Sequence, residues 1–114
     1  MPPRFVVTAA LLAASAAAAQ ATPELDRGRR LLAQYRCGAC HTIPGVAGAQ
    51  GTVAQPLKGW KHRSYIAGRV PNRAEALARW IREPQALVPG TVMPAMGVTG
   101  ADADAMAAYL LSLE

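Results

Sequence analysis

The chain has very little large aromatic material with which to build a core: one Phe, two Trp and three Tyr in 114 residues. The single phenylalanine is Phe5, so none occurs beyond the extreme N-terminus. A domain of this length buries only a modest core unaided, and one so poor in bulk calls for apolar volume from elsewhere. Cysteine is confined to Cys37 and Cys40. A disulfide between them would close a loop too short to restrict the unfolded chain, which argues against a stapled secreted scaffold. A structural zinc site needs four ligands, and beyond this pair only His41 and the distant His62 are available. Acidic residues are outnumbered, 7 against 12 basic. The excess is spread out and has few aromatics beside it, so nucleic acid is excluded as a partner. No internal repeat and no convincing strand alternation occurs.

Long apolar runs are also missing. The one candidate, Phe5 to Ala19, falls short of the roughly 20 residues that span a bilayer and is mostly alanine. With Arg4 before it and Ala17-Ala18-Ala19 after it, the segment reads as a secretory signal peptide over residues 1–19, although Ala19-Gln20-Ala21 also suits cleavage. The alternative is a retained anchor. Export to the periplasm and a single domain over residues 20–114 are the expectation, and loss of Arg4 leaves that domain net basic.

Three segments have helical periodicity. The first runs from about Pro23 to Tyr35, with Thr22 as cap, Pro23 at the first position and Gly28, Leu31, Leu32 and Tyr35 on one face. The second runs from about Arg73 to Glu83. Asn72 and Glu75 form a capping-box-like pair, Leu77, Trp80 and Ile81 share a face, and Pro84 ends it. The third runs from about Gly100 to Leu113, capped by Thr99 with Asp102 and carrying Met106, Tyr109, Leu110 and Leu113 on one face. The glycine-rich stretch from Thr42 to Pro71 is too long for a structureless loop in a compact domain unless it wraps around something, with one short turn expected at Ser64 to Gly68. The fold class is all-alpha with extended loops.

Cys37-Gly38-Ala39-Cys40-His41 supplies what that loop could wrap. C-x-x-C-H reads as c-type haem attachment: two thiols add to the two vinyl groups, and the adjacent histidine reaches the iron. A thioredoxin-like dithiol would need a strand–turn–helix setting, whereas this pair follows a helix and enters a glycine-rich loop. On the other side of the iron, a thioether raises the reduction potential. Met106 lies on the apolar face of the last helix and reads as core. Met93 and Met96 lie in the Pro- and Gly-rich segment Val88–Gly97. Met93, directly before Pro94, is the preferred sixth ligand, with Met96 the alternative and His62 a solvated loop residue.

The attachment motif, followed about fifty residues later by Pro89-Gly90-Thr91-x-Met93-Pro94, resembles the class I monohaem cytochrome c family. The similarity covers about Gly28 to Leu113 and is greatest to small bacterial periplasmic members, including those serving or fused to terminal oxidases. The resemblance implies a cytochrome c fold, three main helices plus long loops around one covalent haem c. It implies His41 and Met93 as iron ligands, Gly28 and Tyr109 at the crossing of the first and last helices, and Leu57 packed on the ring. A backbone carbonyl near Gln55 would accept from His41 Nδ1. Trp60, Arg63 and Tyr65 are implied as propionate donors, Trp80 as an aromatic close to the haem, and Thr91 as a donor to a propionate or to the ligand loop. With both axial positions filled, no substrate site remains open. The expectation is therefore a monomeric electron carrier, not an enzyme, shuttling single electrons between periplasmic respiratory partners. Docking is expected to use basic residues such as Lys58, Lys61, Arg63 and Arg69 against an acidic partner surface, with association with a membrane oxidase complex as a further possibility. The rivals are a fixed haem relay subunit of a larger oxidase or dehydrogenase, a haem-based catalyst or gas-binding module, and an exported helical binding module without haem.

Overall fold

The structure, a computed structural model, describes residues 1–6 and 16–114, with the side chains of 16–22 left out of the description. Residues 7–15 of the expected signal peptide therefore lie outside the described residues. Among the described residues, four α-helices carry the fold: α1 (Ala16–Gln34), α2 (Ala74–Arg82), α3 (Pro84–Leu87) and α4 (Gly100–Leu111). Single 3-10 turns occur at Cys37–Ala39 and Trp60–His62.

Helix α1 does not begin at Pro23 as its first-turn signals suggest. It runs through that proline from Ala16, because the alanine-rich sequence upstream is itself a strong helix former and outweighs the one missing N–H. Helices α1 and α4 cross at Gly28, where an added Cβ would run into the Ala105 carbonyl and sit 3.0 Å from Tyr109 Cβ. Only glycine lets the two backbones approach this closely. Beside the crossing, Tyr109 Oη donates to Pro44 O at 2.7 Å, tying α4 to the loop after the Cys–His motif. At the other end of the contact, Arg27 pairs with Asp102, and Tyr35 Oη donates to Asp102 Oδ2 at 2.7 Å. Helix α4 starts as expected, with Thr99 Oγ1 accepting from Asp102 N.

Helix α2 packs on α4 through Leu77, Ala78, Trp80 and Ile81, all buried. Its N-cap is Arg73, with no side-chain cap bond. Asn72, expected in that role, instead cross-links the preceding loop. It accepts from Trp60 Nε1 at 3.1 Å and donates to Trp60 O and Arg63 O at 3.2 and 2.9 Å. One amide cannot serve both purposes, and the tertiary contact prevails.

The long loop contains more order than one turn. Tyr65–Ile66 (β1) and Val70–Pro71 (β2) pair antiparallel. They are joined by the three residues Ala67, Gly68 and Arg69. Ala67 and Gly68 are both at positive φ (50° and 70°), and Arg69 N–H closes the turn onto Ile66 O at 3.0 Å. Two-residue strands are too short to leave any alternation in the sequence.

Candidate functional site

Helix α1 ends in a sharp reversal. Arg36 adopts a left-handed conformation, φ 59°, unusual for a residue with a Cβ. It turns the chain directly into the 3-10 turn that carries Cys37. His41 N then closes onto Cys37 O at 3.1 Å, so Cys37, Cys40 and His41 are presented on one short coil of backbone.

The segment after the motif folds back along it. Gly51 N–H donates to Gly38 O at 3.0 Å, Ala54 N–H to Cys40 O at 2.9 Å and Leu57 N–H to Thr42 O at 2.9 Å. Thr42 Oγ1 donates to Gly51 O at 2.9 Å. The approach is so close that a Cβ on Gly51 would sit 2.6 Å from Ala39 C and O and from Cys40 C. This laddered wall fixes the imidazole: His41 Nδ1 donates to Gln55 O at 2.7 Å. With the proton held on Nδ1, the lone pair of Nε2 is the one available to a metal.

Cys37 and Cys40 are free thiols, both half-buried. Burial pushes the Cys37 thiol above its ordinary range. Together with His41 they line a cavity of about 490 Å³, within the range of about 300–1,000 Å³ that suits a sizeable organic ligand. The other walls are mainly apolar: Leu32 and Tyr35 from α1, Leu57 and Trp60 from the loop, Leu77, Trp80 and Ile81 from α2, and Leu110 from α4. The remaining side is the segment from Thr91 to Val98, which brings both Met93 and Met96 to the cavity. Met93 is half-buried and packs against the core, whereas Met96 is 45% exposed. Met93 N–H points to Thr91 Oγ1 at 3.4 Å, and Met93 O accepts from Gln85 Nε2 at 2.6 Å.

The sequence-derived site residues therefore divide into two groups. Cys37, Cys40, His41, Leu57, Trp60, Trp80, Thr91 and Met93 converge on one cavity. Arg63 and Tyr65 stand outside its lining: Tyr65 is 57% exposed on β1. The Arg63 fork donates to Gln55 Oε1 and to Pro56 O, both at 2.6 Å. The Trp60 indole N–H, also expected to face a propionate, is taken by Asn72. Gln85 went unnoticed in the sequence, and no local pattern marks it, since its partner is a backbone carbonyl eight residues away. Tyr35 was recognisable as helix face, but not as cavity wall.

Among the described residues, no group of three or more His, Cys, Asp or Glu side chains comes together to hold a bare metal ion. The donor set suits an iron that arrives inside a macrocycle: paired thiols, one imidazole fixed by a carbonyl and a thioether in one cavity with mainly apolar walls. A family model, Cytochrome c, matches residues 25–114. The chain belongs to the cytochrome c family. Its function class is accordingly haem-based electron transfer, its prosthetic group haem c, and its helices and loops those of the cytochrome c fold. A curated relative, "Cytochrome c oxidase subunit 2" of Alkalihalophilus pseudofirmus (strain ATCC BAA-2126 / JCM 17055 / OF4), is 38% identical over 91 residues. The match takes in 78% of this chain but 25% of the relative, so the chain spans about a quarter of that protein's length. Cytochrome c domains are usually extracellular or periplasmic. No described helix is long and apolar enough to cross a membrane.

Proposed function

We propose that this cytochrome c carries single electrons on one haem, attached through Cys37 and Cys40 and ligated by His41 and Met93, between respiratory partners in the periplasm. The observation that carries the proposal is His41. Its Nδ1 is committed to Gln55 O at 2.7 Å, and its ring lines the same cavity as both thiols and Met93. When bound, the haem supplies an iron that accepts and releases one electron. The chain's own part is to hold and tune. The Gln55 carbonyl raises the basicity of the imidazole, the Leu57, Trp80 and Ile81 walls exclude water, and Thr91 and Gln85 steady the backbone of Met93. With His41 and Met93 both holding the iron, no site would be left for a small-molecule substrate, which supports a carrier over an enzyme.

The leader over residues 1–19 is removed on export, and residues 20–114 form the working domain. Partners meet the cavity rim, where Val53 and Val92 are 81% and 96% exposed, with Lys58 and Arg69 exposed nearby in sequence. Such a surface suits a brief encounter with an acidic, partly apolar site on another redox protein. A second arrangement, a fixed relay subunit of an oxidase complex, is favoured by one observation: the matching stretch of the curated relative is part of an oxidase subunit.

Expression in a host that matures c-type cytochromes tests the proposal. The product should retain a Soret-absorbing group on a denaturing gel, begin near residue 20 by mass, and fractionate as a free monomer. A colourless band contradicts the haem assignment. Quantitative copurification with an oxidase replaces the free carrier with the fixed relay.

A further inference from the structure

The carbonyl that accepts from His41 sits at a weak point of the backbone. Gln55 and Pro56 are both exposed, and the peptide joining them has no N–H, because its nitrogen is that of a proline. Backbone bonds hold the flanks, at Ala54 and Leu57, but none can hold this peptide by its own amide. Arg63 spans the gap. One guanidinium nitrogen donates to Gln55 Oε1 and the other to Pro56 O, each at 2.6 Å, so one planar fork grips both residues of the peptide. Arg63 is itself anchored. Its guanidinium lies 5.2 Å from the Trp60 ring centroid, its N–H donates to Trp60 O, and its carbonyl accepts from Asn72 Nδ2 at 2.9 Å.

We propose that Arg63 is a positioning residue for the iron-ligating imidazole, acting through Gln55 and Pro56 to fix the carbonyl that receives the His41 Nδ1 proton. This rests on His41 being the iron ligand, as proposed above. A firm Nδ1–H···O bond gives the imidazole more anionic character and favours ferric iron. The bare positive charge of an arginine has the opposite effect, favouring ferrous iron. The two roles therefore separate in Arg63→Lys, which keeps the charge and loses the fork.

The experiment uses the holoprotein and the variants R63K, Q55A and the double variant. The optical spectrum first establishes a six-coordinate c-type haem, and its absence would count against the proposed function and not against Arg63. Hydrogen exchange at His41 Nδ1, followed by NMR, should then quicken about tenfold in R63K, the scale of one lost hydrogen bond, and by a smaller factor in Q55A. The reduction potential should rise in R63K. Because the two residues act in one chain of contacts, the double variant should exchange no faster than R63K alone. Unchanged exchange in both single variants, an unmoved potential in R63K, or additive effects in the double variant would overturn the proposal.

Discussion

The two sides of the cavity are built differently. The wall bearing Cys37, Cys40 and His41 is closed by backbone hydrogen bonds from Gly51, Ala54 and Leu57, and by the Thr42 hydroxyl. It also includes a contact that admits no Cβ at Gly51. The wall bearing Met93 is an open strap. From Val88 to Val98 it is held by Thr91 N–H to Val88 O at 3.1 Å, by Thr91 Oγ1 and by Gln85. Its bends lie at Gly90 and Gly97, with φ of 84° and 73° and open space where a side chain would go. Under the proposed ligation, the contrast teaches which ligand would be a fixture and which could be exchanged. His41 is placed by the fold, whereas Met93 is placed by a few side-chain contacts on a loop.

The contrast is tested most severely by equivalent substitutions on the two sides. Gly51→Ala drives a Cβ into backbone at 2.6 Å and should cost about 3 kcal/mol or more. Gly90→Ala meets only the left-handed φ penalty of about 1–2 kcal/mol. Urea denaturation of the two holoproteins measures both, and equal costs would break the distinction. A smaller effect should follow from Gln85→Ala, which frees Met93 O. Added imidazole should then displace the thioether at about fivefold lower concentration, the scale of one hydrogen bond near 1 kcal/mol, with global stability nearly unchanged.

The smallest effect belongs to the ends of α1 and α4. Donation to Asp102, followed by burial, holds the Tyr35 phenol above its ordinary value of 10.0. The neutral phenol is the form favoured by folding. Its contribution is fully present below pH 10.0 and is lost as pH rises through the raised folded value. Tyr35→Phe should therefore lower stability slightly at neutral pH and flatten the alkaline limb of the denaturation profile. An unchanged alkaline limb would show that the Asp102 contact does not matter to folding.

Much of this was legible in the residues. The Cys37–His41 motif and the Thr99 cap are local signals, and the structure places each where the pattern does; the Gly28–Tyr109 crossing, implied by the resemblance, is also present. The Gln55 carbonyl was legible only by resemblance, since a backbone acceptor leaves no mark on side-chain identity. What failed was an assignment in which one side chain had two possible partners. Asn72 has the right identity for a helix cap and the right reach for Trp60, and the distant contact wins. Arg63 and the Trp60 indole are chemically suited to propionates, and in the structure both donate to neighbouring loop segments. Pro23 misled in another way: a first-turn preference says nothing about how far good helix formers extend the helix upstream.

The central claim, that the knitted wall supplies one fixed iron ligand and the strap supplies Met93, is tested most directly by comparing ferric spectra of Met93→Ala and Met96→Ala. Loss of the thioether–iron signature in Met93→Ala, with its retention in Met96→Ala and with haem still covalently attached in both, is the predicted result. Loss of that signature in Met96→Ala, with Met93→Ala unaffected, would contradict it.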